Sequence, residues 1–214
     1  VIYLARHGET TWNVAGRYQG RLESGLSGLG VRQGFALAEY FFRRLMRGDS
    51  IPARAISSPL LRCTATARFV TSRLGVPFEV DERLIEIAHG TWEGRYRDEI
   101  AENDPERYRM WREDPAHVVF EQGETLGNVR DRWRSFATAL TGRTENLLIV
   151  THDAVIRCAL LDATGRPLDD LWRPSVENAG FARLQNENGA LRVVEECVVT
   201  HLTGVRSSLV GQAL

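Results

Sequence analysis

Three times along this chain a short apolar run ends in a polar cluster and passes at once into a helix-forming segment. The first run, Val1-Ile2-Tyr3-Leu4-Ala5, stops at Arg6-His7-Gly8. The second, Ala53–Ser57, runs into Ser57-Ser58-Pro59 ahead of a helix from Leu60 to about Leu74, which Gly75-Val76-Pro77 stops. The third, Leu147–Thr151, ends at His152-Asp153 before a helix over Ala154–Ala163 that closes at Gly165. Short β-branched runs bounded by turn residues read as buried strands, and strands alternating with helices argue for an α/β layered fold. In open α/β sheets ligands bind beyond the carboxyl ends of the strands, so the three polar clusters are expected to converge on one site.

The intervening segments fit this frame. Gly28–Arg47 carries Leu29, Phe35, Leu37, Ala38, Phe41, Phe42 and Leu45 at near-helical spacing, and Thr125–Leu140 does the same with Leu126, Val129, Trp133, Phe136 and Leu140. Phe78–Val80 is a candidate third strand. Gly180–Leu184 and Leu191–Val194 read as a closing pair of strands around Asn186-Glu187-Asn188-Gly189. Arg95 to Val119 is polar and holds two Asp-Pro pairs, which predict helical pieces between turns. The expectation is one domain over residues 1–214, with about 95–122 as an inserted helical lobe.

Composition removes several functions. All 27 basic residues are Arg, so a lysine-dependent phosphate loop and Schiff-base chemistry are excluded. The net charge of −1 provides no field for nucleic acid or an anionic membrane. The apolar start lasts five residues before Arg6, which predicts neither signal peptide nor membrane span and points to the cytoplasm. Cys63, Cys158 and Cys197 are widely spaced and odd in number, as buried thiols in a reducing compartment are. Cys63 and Arg68 enclose four residues, one short of the loop a cysteine-nucleophile phosphatase needs. The five His lack metal-ligand spacing, so no metal is expected.

Arg6-His7-Gly8-Glu9-Thr10, followed by Trp12-Asn13, carries the sharpest chemistry. Glycine admits close backbone approach, arginine offers a planar fork to phosphate oxygens, and neutral imidazole can accept a phosphoryl group. This string resembles the signature of the histidine phosphatase superfamily, also called phosphoglycerate-mutase-like. Further blocks follow in the family's order: Gly16-Arg17-Tyr18-Gln19-Gly20, then Ser57–Arg62 with Thr66-Ala67, then Arg83-Leu84-Ile85-Glu86 with Gly90-Thr91-Trp92-Glu93-Gly94. Gly123-Glu124-Thr125 and Val150-Thr151-His152 with Arg157 complete the set, which spans roughly residues 1–184.

The resemblance implies a three-layer α/β/α sandwich with a mostly parallel central sheet and a small helical insertion. It makes His7 the nucleophile that forms a phosphohistidine and Glu86 the acid, then base. Arg6, Asn13, Arg62 and His152 would bind the phosphoryl group, and Gln19 and Gly20 would line the mouth. No cofactor is implied. The partner is a small phosphorylated metabolite such as phosphoserine, a ribazole phosphate or a phosphoglycerate, and a homodimer is left open. Family mutases usually carry a longer insertion with adjacent prolines after the Trp-x-Gly turn. Only isolated prolines lie between Gly94 and Gly123, so the resemblance implies a metal-independent phosphomonoesterase. A cofactor-dependent phosphoglycerate mutase is the alternative, and a non-catalytic phospho-ligand sensor a more distant one. Arg95 and Arg97 are weaker candidates for a second anionic group. Two departures stand out. Asp153 replaces the family's usual Gly, where it would either orient His152 or repel phosphate. Glu23-Ser24-Gly25-Leu26 lacks the proline that usually stiffens that loop.

Overall fold

In a computed structural model of the protein, describing residues 1–187 and 189–208, the apolar runs become strands of one sheet. They are β1 (Ile2–Arg6), β2 (Arg54–Ser57), β3 (Phe78–Val80), β4 (Leu147–Thr151), β5 (Phe181–Glu187) and β6 (Ala190–Val198), in the order β3-β2-β4-β1-β5-β6. The first four are mutually parallel. β5 joins β1 antiparallel and β6 joins β5 antiparallel, so the sheet is mixed with one antiparallel side.

Helices cover both faces: α1 (Thr11–Ala15), α2 (Gly28–Met46), α3 (Leu61–Leu74), α4 (Arg97–Asn103), α5 (Pro105–Glu113), α6 (Leu126–Ala139) and α7 (Asp153–Thr164). Alternate residues of a strand point to opposite faces, and here both directions are apolar. Tyr3, Ala5 and Val150 meet Leu37, Phe41 and Val70 from α2 and α3. Leu4 and Ile149 face the other way, toward Trp133 and Phe136 of α6 and Ile156 of α7. The layered α/β arrangement expected from the sequence is therefore present.

Two elements differ from expectation. The closing strands are longer than Gly180–Leu184 and Leu191–Val194. Beyond Leu184 none of their described residues is buried, and the stretches that escaped, Gln185–Glu187 and Glu195–Val198, carry no continuous apolar run. The turn expected at Asn186–Gly189 includes position 188, outside the described residues. Between residues 95 and 119, α4 and α5 meet at Asp104-Pro105, with the proline at the first position of α5, where its missing N–H costs nothing. The Asp104 carboxylate accepts from the Trp92 indole at 3.0 Å, and Trp111 packs into the same core as α6 and α7. Among the described residues no helix is long and apolar enough to cross a membrane.

The loop after β1 lies against the start of α2. Ser27 N–H donates to the Glu9 carbonyl at 2.8 Å, and a Cβ added at Gly30 would sit 1.9 Å from that same oxygen. Backbone blocks it, so nothing flexible can yield. Gly75, by contrast, has a φ of +69° but open space around it. Gly30→Ala is expected to cost about 3 kcal/mol, the upper range for overpacking. Gly75→Ala should cost about 1 kcal/mol, the left-handed penalty alone. Urea unfolding midpoints of the two variants check the difference.

Candidate active site

The site forms where β1, β2 and β4 end. Arg6, His7, Asn13, Gln19, Gly20, Arg62, Glu86 and His89 line one small cavity. Of the phosphoryl-site and mouth candidates from the sequence, His152 alone adjoins the cavity without lining it, and the weaker candidates Arg95 and Arg97 do not line it either.

His7 follows the last residue of β1, where its N–H donates to the Thr151 carbonyl at 3.1 Å. Its ring Nδ1 lies 2.8 Å from the Gly8 carbonyl. A carbonyl only accepts, so Nδ1 carries the proton and Nε2 keeps its lone pair. Burial, then the charges of Arg62 and Arg6, hold the His7 pKa well below its ordinary value. The imidazole is therefore neutral at pH 7, as a nucleophile must be.

Asn13 is aimed by the helix it helps to begin. Thr10 caps α1, and in return Asn13 Oδ1 accepts from the Thr10 N–H at 3.0 Å and hydroxyl at 3.1 Å. Asn178 Nδ2 approaches the same oxygen at 3.5 Å. With its oxygen so occupied, the amide turns Nδ2 the other way. That nitrogen is buried and has no hydrogen-bond partner among the described residues. An orphaned donor at a cavity wall calls for an acceptor from the ligand.

Arg62, the second residue of α3, is 1% exposed. Its Nη2 donates to the Gly20 carbonyl at 2.6 Å and Nη1 to the Leu22 carbonyl at 2.9 Å. Nε donates to His152 Nδ1 at 3.3 Å. A guanidinium has five N–H groups, so these three contacts leave donors for an anion. His152 lies behind Arg62. Its ring stands edge-on to His7 at 5.2 Å, and its Nε2 meets the Ser58 hydroxyl at 2.7 Å. Burial, then Arg62, lowers its pKa well below the ordinary value. Both nitrogens have protein partners, so in this state His152 orients Arg62 rather than lining the cavity.

Glu86 lines the same cavity and is 5% exposed. Burial raises its pKa to about 7, against the lowering effects of the Ile87 N–H at 2.9 Å and the Arg62 charge. Its segment is held from outside. Glu124 accepts from the Ala88 N–H at 3.1 Å and pairs with Arg132 at 3.3 Å, and the Thr151 hydroxyl donates to the Leu84 carbonyl at 2.6 Å. A carboxyl near pH 7 can give and take a proton under working conditions.

The mouth shows how the proline-free loop is stiffened. Glu23 takes the Leu61 N–H at 3.1 Å, capping α3, whose Leu60 cap offers no side-chain bond. Ser24 donates to Gln19 Oε1 at 2.6 Å, and Arg62 grips the carbonyls on either side of Arg21. Asp153 meets neither of the two fates considered for it. Its carboxylate pairs with Arg6 Nη1 at 2.9 Å and with Arg157. Arg95 and Arg97 do not line the cavity. Arg97 pairs with the exposed Asp98 at 3.3 Å.

His89 escaped the sequence reading. It is 1% exposed and lines the cavity, and neither ring nitrogen has a hydrogen-bond partner among the described residues. Tyr18, Trp111 and Phe120 surround it edge-on, and burial, then Arg62, takes its pKa down to about 3. Its one sequence signal was its position three residues after Glu86.

A neutral imidazole, two buried guanidiniums, an orphaned amide donor and a carboxyl near neutrality thus surround one cavity. The sequence model of the histidine phosphatase superfamily (branch 1) matches residues 2–198, and the chain belongs to that superfamily as a phosphoric monoester hydrolase. It is 33% identical over 206 residues to phosphoserine phosphatase 1 of Hydrogenobacter thermophilus, covering 94% of this chain and 93% of that one. It is 33% identical to the metal-independent phosphoserine phosphatase of Arabidopsis thaliana, over 76% of this chain and 68% of the other. Among solved structures, YhfR of Bacillus stearothermophilus aligns with a TM-score of 0.86 at 31% identity, covering 94% of this chain and 98% of that one.

The raised pKa of Glu86 has a consequence for stability. The unfolded chain releases this proton near 4.5 and the folded chain near 7. The stability this group contributes is therefore full below 4.5 and lost as pH rises through 7. Glu86→Gln should be more stable than wild type at pH 8, by on the order of 3 kcal/mol, with the difference vanishing near pH 4.5. Urea titrations at both pH values check this.

Proposed function

We propose that this enzyme hydrolyses small phosphorylated metabolites, with phosphoserine the first to test, by passing the phosphoryl group to His7 and then to water, without a metal ion. The observation that carries the proposal is the opposed protonation of two buried groups. Burial keeps His7 unprotonated and Glu86 protonated near the same pH, which suits nucleophile and acid.

His7 Nε2 attacks phosphorus and the P–O bond to the alcohol breaks. Glu86 gives its proton to the departing oxygen. Arg6, Arg62 and the Asn13 amide hold the equatorial oxygens, where charge gathers in the transition state. Water then enters beside Glu86, which takes its proton as the hydroxyl attacks the phosphohistidine. The P–N bond breaks, His7 is restored, and inorganic phosphate leaves. A dianion beside His152 favours its protonated form; the added Nδ1 proton displaces the Arg62 Nε–H bond to that nitrogen and frees Nε as a donor.

Arg6 and Arg62 bring the cationic charge this chemistry needs, and a relative is itself named metal-independent. His89 offers one donor and one acceptor beyond the phosphoryl group, which suits a small alcohol with its own polar groups. The mutase alternative is not favoured by the relatives, which are phosphatases. With phosphoserine as substrate, inorganic phosphate release should persist after exhaustive EDTA treatment and need no bisphosphate primer. Loss of turnover restored by a divalent metal, or rapid exchange between 3- and 2-phosphoglycerate with little phosphate release, would refute the proposal.

A further inference from the structure

One buried charge beside the cavity has no part in the reaction just described. Asp153 is 2% exposed and opens α7 directly after His152. Its Oδ2 lies 2.9 Å from Arg6 Nη1, with both side chains under 5% exposed. Its Oδ1 accepts from Arg157 Nε, one helical turn along.

Arg157 carries this link away from the cavity. Its Nη1 donates to the carbonyls of Leu171 at 3.1 Å and Pro174 at 2.6 Å, and its guanidinium lies 5.3 Å over the Trp172 ring. The same stretch of chain then returns to the catalytic strand. Arg6 Nη1 donates to the Val176 carbonyl at 3.2 Å, and Asn178 Nδ2 to the His7 carbonyl at 3.3 Å. The Ala179 N–H donates to the carbonyls of Arg6 and His7 at 3.1 Å each. Residues 171–179 thus form a wall against the end of β1, and Asp153 stands between the two arginines that bind it.

We infer that Asp153 is a positioning residue: clamped by Arg157, it fixes the Arg6 guanidinium against the 171–179 wall in the orientation that meets the transferring phosphoryl group. The inference rests on the phosphohistidine reading above. A guanidinium is planar, so fixing one of its edges sets the direction of the others. An aspartate alone near the site would repel phosphate, but the Arg157 charge offsets it and leaves Arg6 its attraction for an anion. The benefit is geometric. A group displaced by about 1 Å loses far more in the transition state than in the ground state, by up to roughly a hundredfold in rate.

The test uses Asp153→Asn with two inhibitors. Orthovanadate takes up the five-coordinate geometry of the transferring group, and inorganic phosphate keeps the tetrahedral one. The vanadate inhibition constant should weaken roughly ten- to a hundredfold, with a matching loss in kcat. The phosphate constant and KM should move less than about threefold, as expected when ground-state binding is retained. A purely structural role would lower the amount of active enzyme and move neither inhibition constant. Should the single variant fail to fold, Asp153→Asn with Arg157→Leu removes the two opposite charges together, and the same constants are read on it. An unchanged vanadate constant, or equal shifts in both constants, would overturn the inference while leaving the phosphatase reading in place. A wild-type enzyme that neither releases phosphate nor binds vanadate would overturn both.

Discussion

Two guanidinium groups are held out of water at the carboxyl end of the sheet, and the site is organised by how they are kept there. Arg62 is 1% exposed and Arg6 is 4% exposed. A buried arginine is tolerated when its donors are met and its charge is answered. Arg62 draws in the carbonyls of Gly20 and Leu22, which closes the mouth loop, and leans on His152 at the end of β4. Arg6 draws in Asp153 and the Val176 carbonyl. Segments distant in sequence are gathered around one point because two cations need partners there.

The same burial sets the protonation states. Low polarity disfavours whichever form of a side chain is charged, so it pushes a histidine and a carboxyl in opposite directions. His7 stays neutral and Glu86 stays protonated up to about pH 7. Nearby arginines deepen the effect on His7 and temper it on Glu86. In the proposed mechanism an incoming phosphate therefore finds nucleophile and acid ready before any proton has moved.

Much of this was legible in the sequence. The central strands are short, buried on both faces and bounded by turn residues, so their apolar runs mark them, and the polar clusters at their ends mark the site. Arg6, His7 and Arg62 were singled out for that reason and line the cavity, whereas Glu86, which also lines it, was singled out only by the resemblance of its block. Asn13 was singled out by resemblance, whereas the reason it points inward, its cap with Thr10, is a local contact that a three-residue spacing encodes. What escaped was carried by long-range contacts. Asp153 meets Arg6 across a separation of 147 residues, and Asn178 meets His7 across one of 171. No local pattern announces such a pairing. His89 looked like any isolated histidine, and what sets it apart is burial with no hydrogen-bond partner for its ring among the described residues. The ends of β5 and β6 that escaped hold no fully buried residue and so lacked the apolar run that marked the other strands.

The central claim is that His7 carries the phosphoryl group and that Glu86 governs both its arrival and its departure. Rapid-quench labelling of the Glu86→Gln variant with a phosphorus-labelled aryl phosphate tests it most directly. A nitrophenolate leaves with little help from an acid, whereas the second step still needs the base, whose loss typically costs ~10²–10⁴ in rate. The account predicts acid-labile, base-stable label accumulating on the protein, located at His7 by peptide mapping and absent from His7→Ala. Turnover without any trapped label, or label on another residue, would contradict it.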